Sequence, residues 1–278
     1  MRGPPSRWCA NGILMKLKLS VIALFCFLPL LASAQTADEI VKKALDARGG
    51  ADKIRAVQSE RITGHVSSAQ GVEGGFVLEL KRPYKMRTEI SVDGQKIIRV
   101  YDGKSAGWTI NPFAENKDAQ PMPEEDLKSI TEESDMDGPL VDYKSKGHQV
   151  ELVGKEDLDG KPVYRLKLTT KNGDVRSYLI DASTFLTTKW VGLRKIGDKD
   201  FPWESSLSDY RDVQGLKYPF KIEQGSPGTD FKQTLTTEKI EINPPLDESR
   251  FAKPANPTPP ADPPAASPTP TSSSSTPH

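Results

Sequence analysis

From Ser59 to Ile242 the hydrophobic pattern has a period of two, and it restarts many times between short turn signals. The sharpest run is Tyr84, Met86, Thr88, Ile90 and Val92, alternating with Lys85, Arg87, Glu89 and Ser91. Successive strand side chains point to opposite faces, so such a run describes a strand with one face buried and one in water. Phe76, Leu78 and Leu80 alternate in the same way, as do Leu216, Tyr218, Phe220 and Ile222. Asp93-Gly94, Asp102-Gly103, Asp159-Gly160 and Asn172-Gly173 join neighbouring runs, and these residue pairs suit tight hairpin turns.

The pattern yields about 11 or 12 antiparallel strands in a meander. Strands are expected at 148–155, 161–170, 174–181, 184–194, 204–213, 216–224 and 231–242, after the earlier group from Ser59 to Ile110. Helical pattern does not intervene strand by strand, which argues against a doubly wound parallel sheet. A sheet of this many strands must curl or close. The fold class is α+β and mostly antiparallel β, with helices at its start and in its middle. Thr36-Ala-Asp-Glu39 is a capping box ahead of Ile40, Val41, Ala44 and Leu45, and Gly49-Gly50 closes that helix. A second short helix is expected from Ala51 to Val57.

Between Pro112 and Gly147 the alternation stops. Pro123-Glu124-Glu125-Asp126 reads as a helix start with acids at the positive end of the dipole. Leu127 and Ile130 form a thin apolar stripe on it, and Leu140, Val141 and Tyr143 mark a further turn or short helix. An insertion of this length in a sheet protein suits a lid or a plug.

Ahead of this body lies an export signal. Lys16 and Lys18 precede an apolar run from Leu19 to Leu31, and Ala32-Ser33-Ala34 is a small-x-small cleavage site. The run is short for a membrane span, which needs about 20 residues. Cleavage after Ala34 and a location beyond the inner membrane are expected, and residues 1–14 read as a misplaced upstream start. Both cysteines, Cys9 and Cys26, fall before the cut, so the body has neither disulfides nor thiol chemistry. Losing Arg2, Arg7, Lys16 and Lys18 leaves 34 basic against 38 acidic residues, a balance of −4 that argues against a nucleic-acid partner. Residues 35–243 suffice for one domain with its own core. From Pro244 to His278 the chain is rich in Pro, Ser, Thr and Ala, and a disordered tail is expected there.

Catalytic signatures are missing from the sequence. His65 and His148 stand alone, and neither a nucleophile elbow nor a phosphate loop occurs. Glu133-Ser-Asp135-Met-Asp137-Gly138 approximates the opening of a calcium loop. Its twelfth position is Lys144, where a bidentate glutamate is required, so it reads as an acidic helix end before a turn. The acids of 124–133 read as a solvated helix face. Neither a cofactor nor a metal is expected, and the chain is not read as an enzyme.

The order of elements, with the stretches ADEIVKKALDARGGADKIRAVQSERITGHV, RVYDGKSAGWTINP and DGPLVDYKSKGHQVELVGKEDLDGKPVYRLKL, resembles the outer-membrane lipoprotein-sorting proteins, the LolA-like periplasmic carriers. The resemblance runs over about residues 37–242 and is one of arrangement rather than of motif. It implies an unclosed, strongly curled β-barrel whose apolar inner face is capped by helices and shelters the acyl chains of lipoproteins or other lipids. It implies transport partners at the inner and outer membranes, and a monomer. The alternative it implies is an envelope lipid sensor that docks on a protein. Inner-face candidates are Phe76, Leu78, Leu80, Met86, Ile90, Trp108, Leu166, Leu168, Tyr218 and Phe220. Lid candidates are Leu127, Ile130 and Leu140.

Overall fold

The computed structural model describes residues 35–196 and 199–257, with the side chains of 194–196 excepted. The expected export signal, and residues 258–278 of the expected tail, lie outside the described residues.

Two helices open the domain, α1 (Ala37–Ala47) and α2 (Ala51–Ala56). Strands β1 (Ser59–Ser68), β2 (Glu73–Lys81), β3 (Lys85–Val92), β4 (Gln95–Asp102), β5 (Gly107–Ile110) and β6 (Gln120–Pro121) follow. Helix α3 (Glu124–Glu133) and a loop to His148 separate them from a second set. That set is β7 (Gln149–Leu158), β8 (Lys161–Thr169), β9 (Val175–Asp181), β10 (Thr187–Ile196), β11 (Lys199–Val213), β12 (Leu216–Gly225) and β13 (Lys232–Ile242). All 13 strands form one sheet in the order β6-β5-β4-β3-β2-β1-β13-β12-β11-β10-β9-β8-β7. Two meanders are thus joined where β13 returns beside β1, with Glu60 opposite Ile242 and Ser68 opposite Gln233. The sheet is antiparallel and unclosed, an open half-barrel, and β6 and β7 are its edges.

Local chemistry explains the elements. Thr36 Oγ1 accepts from the Glu39 N–H while the Glu39 carboxylate accepts from the Thr36 N–H, the expected capping box. Gly49 has φ +118°, and a Cβ there would lie 2.3 Å from the Gly215 carbonyl oxygen, so only glycine lets the end of α1 touch the β11–β12 turn. Asp93-Gly94 and Asp159-Gly160 both take positive φ at both residues, the two-residue hairpin expected of them. Asp102-Gly103 does not. Asp102 Oδ1 instead accepts the N–H groups of Lys104, Ser105 and Ala106, which widens the turn and delays β5 to Gly107.

Register assigns the faces. On the inner face Tyr101, Met86 and Leu80 lie in one cross-strand row with Glu60 and Ile242. Arg99, Thr88, Leu78, Ile62 and Ile240 form the next row, and Ile97, Ile90, Phe76 and Gly64 the third. The same face continues through Val66, Leu235 and Ile222 to Leu207, and through Gln224, Ser205 and Trp190 to Tyr178, Leu166 and Leu152.

Three apolar clusters lie on this face. Ile40, Val41 and Ala44 of α1 pack with Leu140, Tyr143, Tyr164, Leu166, Leu168 and Ile180. Ile130 of α3 packs with Leu80, Met86, Tyr101 and Met122. Ile54 of α2, with Val57 and Val141, meets Leu216. The helices therefore cover the two flanks of one concave face, α1 over β7–β9 and α3 over β2–β4.

The segment after Asn243 corrects one expectation. Residues 244–257 belong to the domain rather than to a tail. A 3-10 turn, Glu248–Phe251, lies beside β3 and β4, with Leu246 and Phe251 buried. The Ser59 hydroxyl donates to the Pro244 carbonyl at 2.7 Å, and the Lys81 ammonium donates to that of Leu246 at 2.7 Å. Leucine and phenylalanine among the prolines supply the apolar area that composition alone hid.

Candidate functional site

The candidate site is the concave face between the two helix-covered flanks. There Ile62, Leu78, Ile90, Ile97, Leu207, Ile222 and Leu235 stay half-exposed, beside the buried Phe76 and Phe220. Gly64 makes this arrangement possible, since a Cβ at that position would stand 2.8 Å from the Phe76 ring. Two hydroxyls on the face, Thr88 Oγ1 and Ser205 Oγ, are buried without a hydrogen-bond partner.

Under the C-terminal end of α1 the face deepens into a cavity of about 220 Å³. Leu45, Leu140, Tyr178, Trp190, Leu207 and Tyr218 line it, and Arg48 and Tyr210 bring polar groups to it. The Tyr210 hydroxyl donates to the Thr187 carbonyl at 2.8 Å, and burial pushes its pKa up to about 12. The Tyr218 hydroxyl donates to the carboxylate of Glu60. Burial pushes the Glu60 carboxyl above its ordinary range, against the Tyr218 hydrogen bond and the charges of Arg48 and Arg82. A broader groove of about 730 Å³ lies along α1 and α2 and differs in kind. Its charged walls pair with one another, Lys42 with Asp46, Arg55 with Asp142 and Lys144 with Asp38, so it offers solvated charge rather than an apolar shelter.

Helix α3 lies over β2–β4 and reaches by ion pairs to Asp174 and Arg176. Leu127 and Ile130 hold it to β2–β4, aided by Arg99 and Glu133 at 3.0 Å. On its other side Glu132 pairs with Arg176 of β9, and Lys128 pairs with Asp174 at 2.8 Å. The acids of 124–133 are thus divided: Glu132 and Glu133 bridge to the sheet, while Glu124, Glu125 and Asp126 are exposed.

The sequence candidates separate by position. Phe76, Leu78, Leu80, Met86, Ile90, Tyr218 and Phe220 share the concave face. Leu166 and Leu168 share it too but are fully covered by α1, so they are core in this structure. Trp108 pairs with Val100, which pairs with Arg87, and this places it on the convex face. The shortened β5 reset its phase relative to the expected strand start at Lys104. Among the lid candidates Leu127 and Ile130 share a cluster, whereas Leu140 belongs with α1. Asp135 and Asp137 of the calcium-like stretch are committed to Lys146 at 2.5 Å and to Arg82 at 2.5 Å. Sequence reasoning missed Arg48, Glu60 and Leu207. Leu45 and Arg48, three apart at a helix end, carried the only readable signal.

No family model and no curated protein matches the chain. Solved structures do. A DUF1329 family protein from Desulfovibrio piger ATCC 29098 superposes with a TM-score of 0.53 at 12% identity, over 79% of this chain and 98% of that one. The LolA superfamily protein NE2245 from Nitrosomonas europaea gives 0.50 at 12%, over 79% and 99%. A putative outer membrane lipoprotein-sorting protein domain from Vibrio parahaemolyticus gives 0.50 at 11%, over 77% and 95%. The chain therefore has the open half-barrel fold of the LolA superfamily and of lipoprotein-sorting domains.

Proposed function

We propose that the exported chain is a periplasmic binding protein that shelters aliphatic chains, those of lipids or of lipoproteins, on its concave face and moves them towards the outer membrane. The observation that carries this reading is the continuous stripe of half-exposed Ile62, Leu78, Ile90, Ile97, Leu207, Ile222 and Leu235 between two helix-covered flanks. An apolar stripe inside a concave face favours a greasy ligand, since each methylene removed from water contributes about 0.8 kcal/mol. Shelter by area needs no reacting group, so the chain is read as a binder and not as an enzyme. Helix α3 is the lid. Its apolar side stays with β2–β4 while its ion pairs to Arg176 and Asp174 exchange for water, which widens the face at modest cost.

The test is to purify the full chain after export, extract it with organic solvent and identify co-purified lipids by mass spectrometry. Acyl lipids or acylated peptides in stoichiometric amount are expected, and Leu207→Asp is expected to lose them while remaining folded. An empty protein that takes up no fluorescent fatty acid would overturn the reading.

A further inference from the structure

Arg48 stands out by its lack of a counter-charge. Arg55, Arg61, Arg82, Arg87, Arg99, Arg165, Arg176, Arg211 and Arg250 each have a carboxylate within 4.0 Å. Among the described arginine side chains Arg48 alone has none. Its guanidinium makes one long contact, 3.5 Å, to the Asp137 carbonyl oxygen. A guanidinium has five N–H donors, so nearly all its capacity is unspent although the side chain is half-buried. The Asp137 carboxylate is taken by Arg82. Glu60 is an acid near enough to feel the Arg48 charge, and its carboxylate is occupied by the Tyr218 hydroxyl. The other nearby cation, Lys217, has Asp212 at 3.5 Å.

Arg48 therefore brings one unspent positive charge to a cavity whose wall includes the apolar Leu45, Leu140, Trp190 and Leu207, with Tyr178, Tyr210, Tyr218 and the paired Lys217 beside them. We propose that this cavity is the headgroup end of the lipid site and takes a single-chain aliphatic monocarboxylate, with Arg48 gripping the carboxylate and the chain running past Leu207 onto the concave stripe. Three observations choose this ligand. A planar guanidinium matches the two oxygens of a carboxylate. One cation matches one anionic charge. About 220 Å³ is below the usual range for drug-sized ligands, which leaves room for one chain rather than two. The inference rests on the lipid-binding reading above and adds the charge and valence of the ligand.

Titration calorimetry of the full chain with decanoate and with decan-1-ol near pH 7.5 separates the two claims. Decanoate is expected to bind roughly tenfold or more tightly than the alcohol. Arg48→Gln is expected to abolish that preference by weakening decanoate alone, and Arg48→Lys to keep part of it. The Arg48 contact that secures the fold, its carbonyl accepting from the Lys217 N–H at 2.9 Å, is backbone and survives both changes. Equal binding of acid and alcohol by the wild-type chain would overturn the headgroup assignment and leave the lipid reading standing. So would an acid preference that persists in Arg48→Gln. Failure of both probes to bind the wild-type chain would overturn the two together.

Discussion

The two faces of β1–β3 are built from alternate residues of the same strands, yet they are covered by opposite chemistries. On the concave side Leu80 and Met86, with Leu78 against them, meet Leu127 and Ile130 of α3. On the convex side Glu79, only 1% exposed, accepts from Arg61 at 2.9 Å and from Arg250 at 2.5 Å. Beside it Glu89 accepts from Arg87 at 2.8 Å and Lys96 at 2.9 Å, and Arg250 reaches it at 3.3 Å. The segment 244–257 roofs this network and supplies Arg250 and Phe251 to it. Alternation thus shows which residues share a face. It does not show which face is wet, because a later segment can cover a charged face and pair its charges.

The largest test of this contrast is to end the chain at Asn243. Losing Phe251, Leu246 and Arg250 strips apolar cover and leaves Glu79 with one partner. A loss of about 4–5 kcal/mol in urea unfolding is expected. An unchanged midpoint would show that the roof is ornamental. Adjacent residues then set the faces against each other. Glu79→Leu should cost about 3 kcal/mol by taking from Arg61 and Arg250 their shortest carboxylate contact, leaving only Glu241 at 3.9 Å and Glu89 at 3.3 Å, yet leave lipid uptake intact. Leu78→Glu should abolish lipid retention at a cost of about 1–2 kcal/mol, since Leu78 is only half-buried. If both variants lost stability and uptake alike, the faces would not be separate in function.

The pH dependence of the two faces should have opposite sign. Burial raises the Glu89 pKa, but the hydrogen bonds and charges of Lys96 and Arg87 outweigh it and hold the carboxyl at about 2. A folded pKa below the unfolded value gives stability that is present above about pH 4.5 and lost as pH falls towards 2. Lys96 is half in water, so the contribution is about 2 kcal/mol, and Glu89→Gln should remove it together with that acid slope. Glu60 is displaced upward by burial. Its contribution is full below its unfolded pKa and fades as pH rises through the folded value, so Glu60→Gln should remove that fading. Acid titrations of both variants by circular dichroism read the two slopes. The smallest effect belongs to the lid surface. Lys128→Ala should shift stability by less than about 0.5 kcal/mol, because its partner Asp174 is also partly exposed.

Much of the fold was legible in the chain. Period-two runs and Asp-Gly turns placed β3, β7–β9 and β11–β13 to within a few residues, and a capping box and Gly49-Gly50 bounded α1. These signals are local, so they need no partner to be read. The site was less legible. Trp108 was misphased because one side-chain hydrogen-bond fan at Asp102 lengthened a turn, and a one-residue change of phase moves a side chain to the other face.

What the sequence determined by itself was the export signal pattern, the absence of thiols from the body, the meander and the alternation of its strands. Only the tertiary structure decided which face is concave, that residues 244–257 close the other, and that Arg48 arrives at the cavity without a carboxylate. Those outcomes depend on residues far apart in the chain, such as Glu79 with Arg250 and Glu60 with Tyr218. Backbone pattern fixes strands through neighbours in sequence. Cover and charge pairing are fixed by neighbours in space, which only the packed sheet brings together.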